Sequence, residues 1–238
     1  MELLAFIAIA FCGSLVSSVF GLGSGFIVLS FGSLLLPLKD CIALATVLFT
    51  ASTFTKAYIY RHDINWRLSG VIAIGSIPFA WLGAETLATI DPAPLKPLLA
   101  GFIIVSVIIN LLGLRLKLPQ TTLVALSVSA AYGFISGLLS SGNPIKALAM
   151  ERMGFEKQAF IGAMAATALG VNITKLWSYS DNQILRSEHL PTAIGLIIIA
   201  IISALFGKKL IHQIPDEKYK QGLSAILIIS ASALIFKS

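Results

Sequence analysis

The chain has 238 residues, of which 57% are hydrophobic and only 12% charged, and its formal net charge is +6. Soluble domains carry about 25% charged residues, so this composition excludes a water-soluble globular protein and places the chain in a bilayer. Its basic residues are scattered through short loops with no aromatic-interleaved run, which excludes a nucleic-acid surface, and no nucleotide-binding P-loop is present.

A membrane helix needs about 20 predominantly apolar residues. Such stretches fall at 3–20, 41–60, 69–89, 97–114, 121–139, 158–178, 190–207 and 220–237. The first has Glu2 where a signal peptide would have a basic region, and no small-residue cleavage site follows, so it is expected to be part of the mature protein. Immediately after it comes "VFGLGSGFIVLSFG", residues 19–32, in which Gly21, Gly23, Ser24 and Gly25 interrupt an otherwise apolar run. Cys12 and Cys41 have no metal-ligand spacing and are expected to pack as small apolar groups. His62, His189 and His212 fall in loops without metal spacing. Neither a metal nor a cofactor is expected.

The same pattern returns in the second half. At an offset of 119 residues, "TFTKAYIYRHD" (53–63) overlies "NITKLWSYSDN" (172–182), bringing Thr55 onto Thr174, Lys56 onto Lys175 and Tyr60 onto Tyr179. That offset also lays Gly23 on Gly142, Ser24 on Asn143 and Gly25 on Pro144, so the first interruption has a counterpart in "GLLSSGNPIKALAM", residues 137–150. After a five-residue shift, Gly83 matches Gly207. Three blocks in one order read as an internal duplication: residues 1–118 form a first transmembrane repeat and 119–238 a second, together one membrane domain.

Cytoplasmic loops carry the excess of Lys and Arg. If each interrupted segment enters and returns to one side, the halves are inverted. One face then holds Arg61, Arg67, Arg115, Lys117, Arg152, Lys157, Lys208, Lys209, Lys218 and Lys220, against Lys39, Lys96, Arg186 and Lys237 on the other, ten to four. If each segment crosses once, the halves are parallel and the best split is eight to six. The expected fold is therefore an all-α polytopic membrane protein of two inverted repeats. Each has an interrupted, re-entrant hairpin-like first segment plus three transmembrane helices, and both termini lie outside. The charge count does not separate a re-entrant hairpin from two short crossings.

Broken helices at membrane depth leave backbone groups that only protein or a polar cavity can satisfy. In inverted-repeat transporters, half-helix N-termini aim partial positive charge at an anion near the midplane. Half-helices starting near Phe26 and Ile145 would do this here, with Ser24, Ser140, Ser141 and Asn143 as small polar donors and Gly21, Gly23, Gly25 and Gly142 admitting a ligand to the backbone. The competing reading is a tight turn or a small-residue helix contact; recurrence in both halves favours a substrate site. Thr46, Thr50 and Thr53 share one helix face, and Asn172 occupies the Thr53 position; such a stripe serves as interhelical glue or as ligand contacts. Lys56, Lys146 and Lys175 fall inside spans, where ionisable residues mark function. Lys56 and Lys175 stand four residues before their helix ends and are expected to snorkel; Lys146, in the first turn after the second break, either attracts an anion or snorkels. Glu85, without a counterpart, reads as a headgroup-level carboxylate.

With "RHDINWRLSG" (61–70) between the second and third helices, these elements resemble the TauE/SafE family of membrane sulfite and organosulfonate exporters. That family carries a glycine-rich GxGGG element near the start of each half, a polar helix after it, and an aspartate-then-tryptophan loop. The resemblance spans nearly the whole chain, with two departures: Ser24 replaces a glycine, and the second element is eroded to "SSGNP" followed by Lys146. It implies transport of a small sulfur-containing anion by alternating access in the plasma membrane, the bacterial inner membrane in the better-known cases, with protons or another ion as coupling partner. From the residues, three functions stand: a secondary anion transporter whose site comprises the break residues, Thr50, Thr53, Lys146 and Asn172; an anion channel using the same N–H groups as a filter; and, least supported, a membrane enzyme, for which no nucleophile, base and orienting group can be assembled.

Overall fold

The computed structural model describes residues 2–21, 23–91, 93–111, 119, 121–140, 142–155, 157–211, 213 and 214. The expected last helix at 220–237 lies outside the described residues, as do Ser141 and His212. The rest is helical, with no strand among the described residues. In chain order the elements are α1 (Glu2–Phe20), α2 (Ser24–Gly32), α3 (Leu38–Ile59), α4 (Trp66–Thr89), α5 (Leu95–Leu111), α6 (Thr122–Leu139), α7 (Asn143–Arg152), α8 (Lys157–Asp181) and α9 (Leu190–Ile211), with a 3-10 turn at Ser187–His189. Six helices, α1, α3, α4, α6, α8 and the α9 segment, are long and apolar enough to cross a membrane. Their outer surface suits lipid: Ile74, Trp81, Leu82, Ile194, Ile198 and Phe206 all point outward. This is a multi-pass membrane protein.

Local sequence sets the boundaries. Asn65 caps α4, its Oδ1 accepting from Leu68 N at 3.2 Å, and Thr121 caps α6 through Val124 N at 3.4 Å, each relieving one unpaired N–H of a first turn. Both interruptions form the same way. The last bond of α1 runs from Gly21 N to Ser17 O and that of α6 from Ser140 N to Ser136 O, 2.9 Å in each case. The chain then turns left-handed, with φ of 78° at Gly21 and 53° at Ser140, the residue 119 positions on. The half-helices begin at Ser24 and Asn143, two residues earlier than the sequence suggests, so these two side chains stand in the first turns.

Helix directions follow from close contacts. Gly13 of α1 faces Ile27 and Val28, and Gly32 faces Phe6, so α2 doubles back along α1 as a hairpin. Gly162 lies against Tyr60 and Ile64 while Asn172 reaches Thr53, so α3 and α8 run antiparallel. Gly75 meets Ser129 and Gly137 meets Ala80, so α4 and α6 run parallel; Gly195 near Ile7 and Gly207 on Ser18 show the same for α9 and α1. Each of these packings has a counterpart on exchanging the halves: α1 with α9 for α6 with α4, and α3 with α9 for α8 with α4. At the centre, α3 packs on its own counterpart, α8.

Candidate functional site

The breaks meet at a cavity where α3 crosses α8. Six pairs of residues related by the 119-residue offset line it. From the interrupted segments come Ser17 with Ser136, Gly21 with Ser140, and Ser24 with Asn143. From the crossing helices come Phe49 with Ala168, Thr53 with Asn172, and Lys56 with Lys175. The second half alone adds Tyr132, Met164 and Ala165, and the first adds Ser52.

The hydrogen bonds repeat as the residues do. Lys56 Nζ donates to Ser17 Oγ at 3.0 Å, and Lys175 Nζ to Ser136 Oγ at 3.4 Å and Ser140 Oγ at 2.9 Å. Asn172 Nδ2 donates to Thr53 Oγ1, the residue 119 positions before it, at 3.2 Å. Thr46 Oγ1 and Ser140 Oγ, 2.7 Å apart, join the first half to the second break.

The lysines differ from the snorkelling expected of them. Lys56 is 4% exposed and Lys175 1%, and both point inward at serine hydroxyls instead of outward at headgroups. Position along a helix fixes depth but not azimuth, and the packing of α3 and α8 turns these side chains inside. Lys146 is also fully buried but does not line the cavity: its Nζ donates to Met164 O at 2.8 Å and lies 4.2 Å from the centroid of the Tyr132 ring, a cation–π contact. It thus stands behind two cavity-lining residues, neither reaching the headgroups nor facing an anion directly.

Of the other residues singled out in the sequence, Gly21, Ser24, Thr53, Ser140, Asn143 and Asn172 line the cavity, whereas Gly23, Gly25, Thr50 and Gly142 stand around it. Gly23 caps α2 with φ of 109°, Gly25 is inside α2, Thr50 Oγ1 bonds back to Thr46 O, and Gly142 packs on Tyr132 O and the Ser136 backbone. Glu85, half-buried near the end of α4, accepts at Oε1 from Ser178 Oγ at 2.6 Å and Asn182 Nδ2 at 3.1 Å. Sequence reasoning missed Ser17 and Ser136, although each stands one turn before its break and 39 residues before its lysine. It also missed Ser52, Phe49 and the Tyr132, Met164 wall, which no local pattern marks.

The chemistry of the lining is one-sided. Among the described residues it presents two ammonium groups, hydroxyls, two carboxamides and the N-terminal turns of α2 and α7, and no carboxylate. The hydroxyl of Ser52, 4% exposed, has no hydrogen-bond partner among the described residues. Chemically such a wall disfavours cations and is complementary to a group with several acceptor atoms. The cavity is small: the centre of a water molecule can range over about 20 Å³, little more than one water requires. No group of three or more metal-ligating side chains occurs among the described residues.

The family model for sulfite exporter TauE/SafE matches residues 6–234. The chain is 27% identical over 245 aligned residues to a probable membrane transporter protein of Methanocaldococcus jannaschii, with 93% of this chain and 91% of that protein covered. No solved structure matches it.

Proposed function

The chain belongs to the sulfite exporter TauE/SafE family, and from that premise we propose that it is a secondary carrier of a small sulfur oxyanion or sulfonate in the plasma membrane. It works by alternating access around the cavity between the two helix breaks. The observation that carries this reading is the pair of buried lysines, Lys56 and Lys175, which converge from the two halves on a cavity with no carboxylate among the described residues. Burying an ammonium in a span costs about 2.5–3.5 kcal/mol on insertion scales, and two of them facing one cavity repel each other. An anion offsets both terms.

In this mechanism the anion is held by Lys56 and Lys175, with Ser24, Ser52, Ser140 and Asn143 donating to its oxygens and the first turns of α2 and α7 adding partial positive charge. Lys146 adds positive potential from behind the Tyr132 ring. The antiparallel α3 and α8, together with the exchanged packing of the two halves, support residues 1–118 and 119–238 as inverted repeats. Inversion lets one site face either side by the same motion. The near-complete burial of both lysines supports a carrier over an open anion channel, which would keep its filter groups hydrated.

The test is flux in proteoliposomes for sulfite, thiosulfate, sulfoacetate and chloride, with and without a pH gradient. Saturable movement of one or more sulfur anions, with chloride slower, is expected, and its dependence on the pH gradient identifies proton coupling. An equal response across the panel, or single-channel currents, refutes the carrier.

A further inference from the structure

A carrier that alternates access must divide into two bodies that move against each other, and the obvious division is the two sequence halves. The packing contradicts it. α3 packs along α9 instead of α4, its neighbour in sequence, and α8 packs along α4 instead of α9.

The α4–α6 contact is made backbone to backbone. The place a Cβ would take at Gly137 is filled by Ala80 O, that at Gly83 by Phe134 O, and that at Gly133 by Ser76 O; Ser129 Oγ also reaches Ile72 O at 3.3 Å. The α1–α9 contact repeats this, with Gly207 seated on the Ser18 backbone. Helices interlocked through missing side chains cannot slide, because any shift drives backbone into backbone. Glu85 ties α4 to α8 as well, through Ser178 and Asn182.

By contrast, the seam between α3 and α8 contains the cavity and is looser. It is spanned by the Thr53–Asn172 bond, by the Thr46–Ser140 contact beside it and by Gly162, where the Tyr60 carbonyl oxygen lies 3.3 Å from the place of a Cβ, about 1 Å farther than the carbonyls that fill the α4–α6 contact.

We infer that the moving bodies are intertwined: α1, α2, α3 and α9 form one, and α6, α7, α8 and α4 the other, each made of the first three helices of one repeat and the fourth helix of its counterpart. Segments 61–65 and 182–186 carry the chain between bodies. Lys39, which donates from α3 to Ala88 O and Ile90 O at 3.2 and 3.1 Å, ties them at one face. The inference rests on the carrier reading, and its test separates the two.

Two cysteine pairs of equal geometry decide it, in a background carrying Cys12→Ala and Cys41→Ala. A Cβ on Gly75 would lie 3.1 Å from Ser129 Cβ, and one on Gly162 would lie 3.1 Å from Tyr60 Cβ, both within a few tenths of an ångström of disulfide spacing. Gly75→Cys with Ser129→Cys bridges the sequence halves within one proposed body, whereas Tyr60→Cys with Gly162→Cys bridges the two bodies. Thr46→Cys with Ser140→Cys, whose hydroxyls lie 2.7 Å apart between α3 and the end of α6, replaces the latter pair if Tyr60→Cys does not fold, with reporter labelling as its readout. Two readouts follow oxidation: sulfite uptake by proteins that keep Ser52, and, in separate proteins, labelling of a cavity reporter, Ser52→Cys, by an impermeant maleimide.

The Gly75–Ser129 bridge is expected to leave both within about twofold, and the Tyr60–Gly162 bridge to lower both at least tenfold until reductant is added. Suppression by the Gly75–Ser129 bridge, or none by the Tyr60–Gly162 bridge, overturns the grouping. If sulfite is not transported by the unbridged protein but reporter labelling follows the expected pattern, the grouping stands and the sulfur-anion reading falls.

Discussion

Replacing Lys175 by Met separates a lysine that binds from one that merely fits. The ammonium donates to Ser140 Oγ at 2.9 Å and Ser136 Oγ at 3.4 Å, and among the described residues no carboxylate lines the cavity it faces. Methionine fills nearly the same volume without the charge. Stability should not rise: the cost of an ionisable residue in a span, about 2.5–3.5 kcal/mol, is relieved, while two hydrogen bonds from a charged group, about 1.5–3 kcal/mol each, are lost, so the two terms cancel or favour lysine. Binding should fall: a hydrogen bond to a charged group is worth about 1.5–3 kcal/mol, which is about a 10- to 100-fold rise in Kd. Thermal unfolding in detergent and calorimetric titration with sulfite and thiosulfate measure the two quantities on one preparation. Lys56→Met should behave alike, because Lys56 meets Ser17 as Lys175 meets Ser136. Loss of stability with unchanged anion affinity would refute the reasoning, since it would make both lysines structural.

Lys146→Met should weaken sulfite binding by less than about tenfold, because its ammonium is engaged by Met164 O and the Tyr132 ring instead of lining the cavity; a loss as large as that of Lys175→Met would show direct contact, read by the same titration. Gly21→Ala places a Cβ about 3.1 Å from the Phe160 ring at φ of 78°, and the left-handed backbone alone costs an alanine about 1–2 kcal/mol. A lower unfolding temperature and slower uptake are expected. Cysteines at positions 39 and 157, at the starts of antiparallel α3 and α8, should react with an impermeant reagent from opposite faces of intact cells; reaction from one face refutes the inverted repeat.

Much of this fold was legible because lipid makes sequence explicit. Apolar runs of spanning length gave α1, α3, α4, α6, α8 and α9 to within a few residues, and the glycines at 21 and 23 marked a break at the correct place. The 119-residue offset exposed the matched lysines and the Thr53–Asn172 pair before their contact was visible. What stayed hidden was rotation and partnership. Nothing in "FTKAYIY" says whether Lys56 turns to lipid or to Ser17, because that depends on how α3 is wedged between α8 and α9. Lys146 was read from its place in the first turn of α7, but its surroundings come from α6 and α8, which no local spacing brings to it. The Gly133 and Gly137 seam with α4 was invisible for the same reason: small residues announce a close contact without naming the partner.

The two halves are matched in their contacts but not in their energetics, and the difference sits at the breaks. Gly21 turns left-handed at little cost, whereas Ser140, at φ of 53°, carries a penalty of about 1–2 kcal/mol for a residue with a Cβ. Ser140 offsets it with the bonds its hydroxyl makes to Lys175 and Thr46, neither of which Gly21 can make. The second break is therefore held by its side chain and the first by its backbone. On the proposed carrier reading, an anion that draws the two ammonium groups away from their serines releases Ser140, a residue of the second break itself, but at the first break only Ser17, one turn before Gly21. The two breaks should then respond unequally to one anion.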